Sequence, residues 1–166
     1  VTFGTDPDSM AAIVAGAKTR AKKPLIVKLT PNVTNIALMA KTAEDAGADA
    51  VSLVNTFTAM AINAKTRRPV LANVTGGLSG PAIKPIALRM VHEVYRAVSI
   101  PIIGMGGIMT GEDAAEFLLA GAAALMVGTA TVAEPDAMIR ISRELNKFLD
   151  ENGAATAREL TGALEY

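Results

Sequence analysis

An α/β fold, with a parallel sheet covered by helices, is what this sequence predicts, and three observations carry the prediction. The first is a set of short apolar runs, broken only by Lys28 and Ser52: Leu25 to Leu29, Ala50 to Val54, Pro101 to Met105 and Ala123 to Val127. Such runs suit strands buried on both faces, the habit of parallel sheets. The second is an internal echo. Lys23-Pro24, a strand, a helix, then Ala46-Gly47-Ala48-Asp49-Ala50 and a strand recur as Ile100-Pro101, a strand, a helix, then Ala120-Gly121-Ala122-Ala123-Ala124 and a strand. Repeated βα units imply that parallel architecture. The third is size. About four βα units occupy 166 residues, whereas a (β/α)8 barrel needs eight and about 250 residues. The expectation is the C-terminal half of a TIM (β/α)8 barrel, one domain over 1–166 with the N-terminal half absent. The opening Val1-Thr2-Phe3-Gly4-Thr5-Asp6-Pro7 lacks an initiator Met and starts no clean element, which fits the middle of something longer.

The elements follow in order. Asp8-Ser9 can cap a helix to about Lys22, with Ala11, Ile13, Val14 and Ala17 apolar. Pro24 precedes the first strand, and Thr30-Pro31-Asn32 breaks it. Thr34 or Asn35 caps the next helix, which Gly47 ends near Ala46. After the strand at Ala50 comes a connection from Asn55 to Gly80, long enough to be functional. Its turn signals and the apolar Pro69-Val70-Leu71-Ala72 allow a small hairpin. Pro81 suits a helix start, and that helix should reach about Val98. Thr110 caps a helix from Gly111 to Ala120. A short helix opens at Gly128, Asp136 caps another that Gly153 ends after Asn152, and the last residues form a partly exposed helix.

Composition excludes several functions. Lys plus Arg and Asp plus Glu number 16 each, with no basic run, so neither nucleic acid nor a membrane surface is an expected partner. The absence of cysteine excludes disulfides, thiolate metal sites and a cysteine nucleophile from this chain. No apolar run reaches about 18 residues and no signal peptide is visible, so a cytoplasmic protein is expected.

Two glycine turns stand out as chemistry-bearing. Gly106-Gly107 and Gly128-Thr129 each follow a strand and precede a helix. Backbone N–H groups at such turns attract anions, and glycine allows close approach. Barrels often hold phosphate on the loops after strands 7 and 8, so these two turns are expected to share a phosphate; either alone could simply close a tight βα turn. Lys28 ends an apolar strand. It is either a cation facing a bound anion or a side chain reaching solvent or a structural ion pair. Asn55-Thr56 ends the next strand. Asn suits a ring carrying amides or imides, or it opens the loop as an Asx turn. Gly76-Gly77-Leu78-Ser79-Gly80-Pro81 is a weaker glycine-rich signal. His92 reads as structural or solvated, and Asp49, Glu112 and Asp113 as surface or capping groups, with no carboxylate pair spaced for a metal.

These residues together resemble a known family. Lys28-Leu29-Thr30-Pro31-Asn32-Val33-Thr34-Asn35 resembles the flavin-contacting lysine segment of class 1 dihydroorotate dehydrogenases, and Asn55-Thr56 their substrate-binding pair. The run from Lys65 through Asn73 to Thr75-Gly76-Gly77-Leu78-Ser79-Gly80-Pro81-Ala82-Ile83-Lys84-Pro85 is similar to the NAD-linked subclass, 1B. Gly104-Met105-Gly106-Gly107-Ile108 and Val127-Gly128-Thr129-Ala130 complete a match from about Gly4 to Asn152. The resemblance implies an FMN-binding TIM barrel oxidising dihydroorotate to orotate in de novo pyrimidine (UMP) synthesis. A base takes the C5 proton and hydride leaves C6 for the flavin. It also implies an electron-transfer subunit carrying FAD and an iron–sulfur cluster that passes electrons to NAD+, in a homodimer of the catalytic subunit or a hetero-oligomer.

Carried over by resemblance, Lys28 contacts the flavin ring, Val54 packs beside it, and Asn55 and Thr56 bond the orotate ring. Gly80 passes close to the flavin or its ribityl chain, and Gly106, Gly107, Gly128 and Thr129 hold the phosphate. The departure is the catalytic base. In this subclass it is a cysteine in the first half of the barrel, and no residue of this chain matches it. The segment alone is therefore expected to be inactive. Other readings of the same residues are a different FMN- or phosphate-binding barrel, such as a dihydropyrimidine dehydrogenase relative, or a non-catalytic half-barrel that assembles with another chain.

Overall fold

The computed structural model describes residues 3–166; Val1 and Thr2, part of the opening read above, lie outside them. Helix α1 (Pro7–Lys18) begins where the Asp6 carboxylate accepts from Ser9 N at 2.8 Å. The cap is Asp6 rather than Asp8 or Ser9, because a residue before proline is held extended, as an N-cap requires. The helix also ends short of Lys22, where the Thr19 hydroxyl turns back onto the Gly16 carbonyl at 2.8 Å. Strand β1 (Ile26–Lys28) leads to α2 (Ile36–Asp45), which Asn35 caps by accepting from Leu38 N at 2.9 Å. Strand β2 is Ala50–Leu53.

The long connection is ordered into two stacked antiparallel ladders. β3 (Phe57–Met60) pairs with β6 (Thr75–Leu78), and β4 (Ile62–Asn63) pairs with β5 (Arg68–Pro69) beyond them. Val70 and Leu71 lie outside the strands and are exposed. The expected helix from Pro81 splits into a 3-10 turn, Pro81–Ile83, and α3 (Lys84–Tyr95). Then come β7 (Ile102–Met105), α4 (Gly111–Leu119), β8 (Ala124–Met126), α5 (Thr129–Ala133) and α6 (Ala137–Glu151). Thr110 caps α4 as expected, but Asp136 makes no side-chain bond at the start of α6, and the last expected helix is only a 3-10 turn, Ala157–Leu160. No helix of the described residues is long and apolar enough to cross a membrane.

The main sheet has the order β1-β2-β7-β8, all parallel. Register decides which side chains share a face, because Cα partners project to the same side. Val27, Val51 and Ile102 lie on one side, with Leu53 and Gly104 one step on. The helices cover that side. Val51, Leu53 and Ile102 are buried there with Ile36, Val91, Val94 and Phe117, all under 3 % exposed. Gly104 makes room for the Phe117 ring: a Cβ on it would stand 2.8 Å from Phe117 Cδ1.

The opposite side holds Ile26 and Lys28, Ala50 and Ser52, Ile103 and Met105, and Ala124 and Met126. Its centre is closed, but its margins are open: Ile26 is 49 % and Met126 50 % exposed. The expectation that every strand is buried on both faces therefore fails at β1 and β8. Each has a neighbour on one side only and no layer of described residues over its inner face.

Carboxylates tie loops to the scaffold by accepting backbone N–H groups. Asp49 takes Lys18 Nζ at 2.6 Å and Leu25 N at 2.7 Å. Glu44 takes Ser99 N at 2.8 Å, and Glu144 takes Gly111 N at 2.8 Å. Their partners, led by the side chains of Lys18, Lys41 and Arg140 respectively, hold all three carboxyls below the ordinary carboxylate range.

Two outcomes follow. Phe117→Ala should lower unfolding free energy by about 3–5 kcal/mol in a denaturant titration, since it empties the centre of the helix-covered layer. Because the folded-state carboxyl pKa values are depressed, their contribution is complete above the unfolded values and is lost as pH falls through the folded ones. The denaturant midpoint should therefore drop below about pH 4; equal midpoints at pH 7 and pH 3 would contradict this.

Candidate functional site

The C-terminal ends of β1, β2, β7 and β8 converge on one cleft of about 270 Å³. Lys28, Val54, Asn55, Thr56, Gly80, Gly106, Gly107, Gly128 and Thr129 all line it. The residues that the resemblance carries over thus lie together at the C-terminal ends of the parallel strands, whereas Gly76, Gly77 and His92 lie outside the cleft. Ser79, Ile83, Met105, Ile108, Met126 and Val127 line it too. Ser79 lies inside a glycine run and the other five are apolar, so their place at the cleft follows from the tertiary structure.

The glycines divide into two kinds. Gly106 (φ +131°), Gly107 (φ +84°) and Gly80 (φ +88°) occupy the left-handed region that side chains resist. Packing also forbids a side chain at Gly106 and Gly107. A Cβ on Gly107 would lie 2.7 Å from the Gly80 carbonyl oxygen, and one on Gly106 would lie 2.8 Å from Ala87 Cβ. These two are explained by how the chain packs upon itself. Gly128 is different: its φ is −113°, and a Cβ there would meet nothing within 4 Å. Its missing side chain leaves room on the cleft side and serves no internal contact.

The donor set is suited to an anion. Among the described residues, the amides of Gly106, Gly107 and Gly128 donate to no protein acceptor. The Thr129 hydroxyl reaches Ser79 Oγ at 2.8 Å and joins the two walls. Among the described residues, Lys28 is the only charged one lining the cleft. It is exposed and has no ion-pair partner among the described residues, so of the two sequence readings the structural ion pair is set aside.

Asn55 and Thr56 are held at the root of the β3–β6 ladder. Asn55 Oδ1 accepts from Thr56 N at 2.9 Å, leaving its Nδ2 group without a described partner. Asn32 Nδ2 donates to the Thr56 carbonyl at 3.1 Å, and Asn32 Oδ1 accepts from Thr58 N at 2.9 Å. One amide thus takes the place of a neighbouring strand. Gly77 completes the arrangement, since a Cβ on it would strike Thr56 Oγ1. Asn32 was read only as a strand breaker; its two-sided bonding depends on where the distant Thr56 comes to rest. The floor is stitched across strands by Val54 N to Met105 O at 2.9 Å and Asn55 N to Leu29 O at 3.1 Å.

The two kinds of glycine predict opposite results in a thermal melt. Gly107→Ala should lose several kcal/mol through strain and a backbone clash, whereas Gly128→Ala should stay within about 0.5 kcal/mol of the parent. Equal losses would contradict the division.

Known proteins share this chain's sequence and shape. The family model described as dihydroorotate dehydrogenase matches residues 1–149. The chain is 56% identical over 165 residues to the dihydroorotate dehydrogenase B (NAD(+)) catalytic subunit of Pelobacter propionicus, covering 99% of this chain and 54% of that one. It is 58% identical over 165 residues to the subunit of the same name from Citrifermentans bemidjiense, again covering 99% and 54%. The chain therefore spans about half the length of the curated relatives it matches. The crystal structure of DHODH from Eimeria tenella in complex with ferulenol superposes with a TM-score of 0.80 at 26% identity, over 95% of this chain and 48% of that one. With four parallel βα strands and a shared cleft at their C-terminal ends, the chain belongs to the dihydroorotate dehydrogenase family.

Proposed function

We propose that this chain supplies the FMN-holding half of the active site of a dihydroorotate dehydrogenase. That enzyme oxidises dihydroorotate to orotate in de novo pyrimidine synthesis and passes the electrons to NAD+ through a subunit carrying FAD and an iron–sulfur cluster. The observation that carries the reading is the cleft's composition: one unpaired cation, two walls of free backbone amides and an Asn-Thr pair, all within one cavity. The names of the relatives support the NAD-linked subclass.

The residues fit FMN. The open space beside Gly128 and the unpaired amides of Gly106, Gly107 and Gly128 suit a phosphate that accepts several N–H bonds. When bound, FMN supplies the two-electron acceptor for the substrate's hydride. Lys28 would supply positive charge within the cleft, a preorganised stabilisation of negative charge gained on reduction. Val54 offers an apolar side chain there, and Gly80 keeps the approach narrow. Asn55 Nδ2 is free to donate to a ring carbonyl, and the Thr56 hydroxyl can donate or accept. Ser52, register neighbour of Lys28, is 4 % exposed. The base that removes the C5 proton is assigned to no residue of this chain, which has no cysteine. The open inner margins at Ile26 and Met126 favour completion of the cleft by a further polypeptide layer.

At full natural length, the protein should copurify with FMN and reduce NAD+ with dihydroorotate when its electron-transfer partner is present. Preference for dihydrouracil would overturn the substrate assignment. Lys28→Met should cut turnover by about 10²-fold while flavin remains bound. The 166-residue chain by itself should form no orotate; measured orotate formation by it would refute the assignment of the base elsewhere.

A further inference from the structure

The α4 cap contains more bonding than a cap requires. Asp113 Oδ2 accepts from Met109 N at 2.8 Å and Thr110 N at 2.9 Å, which with the Thr110 hydroxyl completes a capping box. The second oxygen, Oδ1, instead reaches Lys84 Nζ at 2.6 Å. Lys84 is the first residue of α3, directly after the turn that Gly80 opens. Its backbone and stem press on Gly107: a Cβ there would stand 2.9 Å from Lys84 Cβ and 3.0 Å from Lys84 N. Neither Asp113 nor Lys84 lines the cleft. Lys84 also pairs with Glu116 at 2.8 Å, so its charge is already matched by two carboxylates.

The segment from Gly107 to Thr110 is thereby fixed at both ends. Lys84 and the Gly80 carbonyl bound it at Gly107, and Asp113 bounds it at Met109 and Thr110. Ile108 between them is buried, 3 % exposed. The clamp thus holds the segment that follows the Gly106–Gly107 turn, whose own two amides make no hydrogen bond to the described residues.

We propose that Asp113, locked by Lys84, is a positioning residue that aims the Gly106–Gly107 amides at the flavin phosphate. The proposal rests on the FMN reading above. At metal sites, groups that orient the ligands from behind change affinity by about 10–100-fold when removed, and the lower end of that range is the effect expected here.

Flavin-fluorescence titrations of the full-length apoprotein with FMN and with riboflavin, which lacks the phosphate, test it. The parent should prefer FMN. Asp113→Asn should reduce that preference about tenfold with riboflavin affinity unchanged. Lys84→Gln, which leaves the capping box intact, should reduce it about threefold and decides the matter if Asp113→Asn fails to fold. An undiminished preference in the folded variants overturns the proposal, as does an equal loss for both flavins, which marks a merely structural role. A parent with no preference for FMN refutes the phosphate reading, and the proposal with it.

Discussion

The site depends on a distance too short for one carbon atom. The Gly80 carbonyl stands where a Gly107 side chain would begin, so the turn after β7 and the turn before α3 approach backbone to backbone. That approach brings the two walls of the cleft together. Gly106 completes the arrangement by lying against Ala87 on α3, where a Cβ would again collide. The glycines are thus required first by the protein's own packing, and the resulting close turns leave backbone amides without internal partners. The geometry that excludes a side chain also leaves the Gly106 and Gly107 N–H groups without acceptors among the described residues.

Charge is distributed to the same end. Asp49, Glu44, Asp113 and Glu144 each accept at least one backbone N–H and face a Lys or Arg in addition or through their own helix. Burial opposes the ionisation of Asp113, yet Lys84 and the Met109 and Thr110 amides hold its carboxyl below the usual range. Among the described residues no carboxylate lines the cleft, and Lys28 is the charged side chain there.

The β3–β6 ladder performs a second task for the cleft. By pairing with itself it satisfies the backbone of a connection otherwise too long to be ordered, and its root fixes Asn55 and Thr56. Asn32 makes the junction by offering one amide to both a carbonyl and an N–H of that root. Asn55-Thr56 and the Gly106-Gly107 turn are consequently held by different devices, the first by a hairpin and the second by close packing against Gly80 and Lys84.

Much of this was legible in the chain. Apolar runs and the repeated βα pattern determine the parallel helix-covered sheet, because strand and helix periodicities are local properties of residues. Motifs such as Gly104-Met105-Gly106-Gly107-Ile108 point to the family, and the nine residues carried over by that resemblance are among those lining the cleft. Cap identities were less legible: Asp6 and Asp8 are equally good caps until Pro7 holds Asp6 extended, and Lys28 looked buried because its strand is apolar, although the strand proved to lie at a sheet edge. Only the tertiary structure decided that Gly107 answers to Gly80, that Asn32 answers to Thr56 and Thr58, and that Asp113 answers to Lys84. Those pairs are separated by up to 29 residues in the chain. No local propensity encodes a contact whose two halves meet only when the sheet places the strand ends side by side.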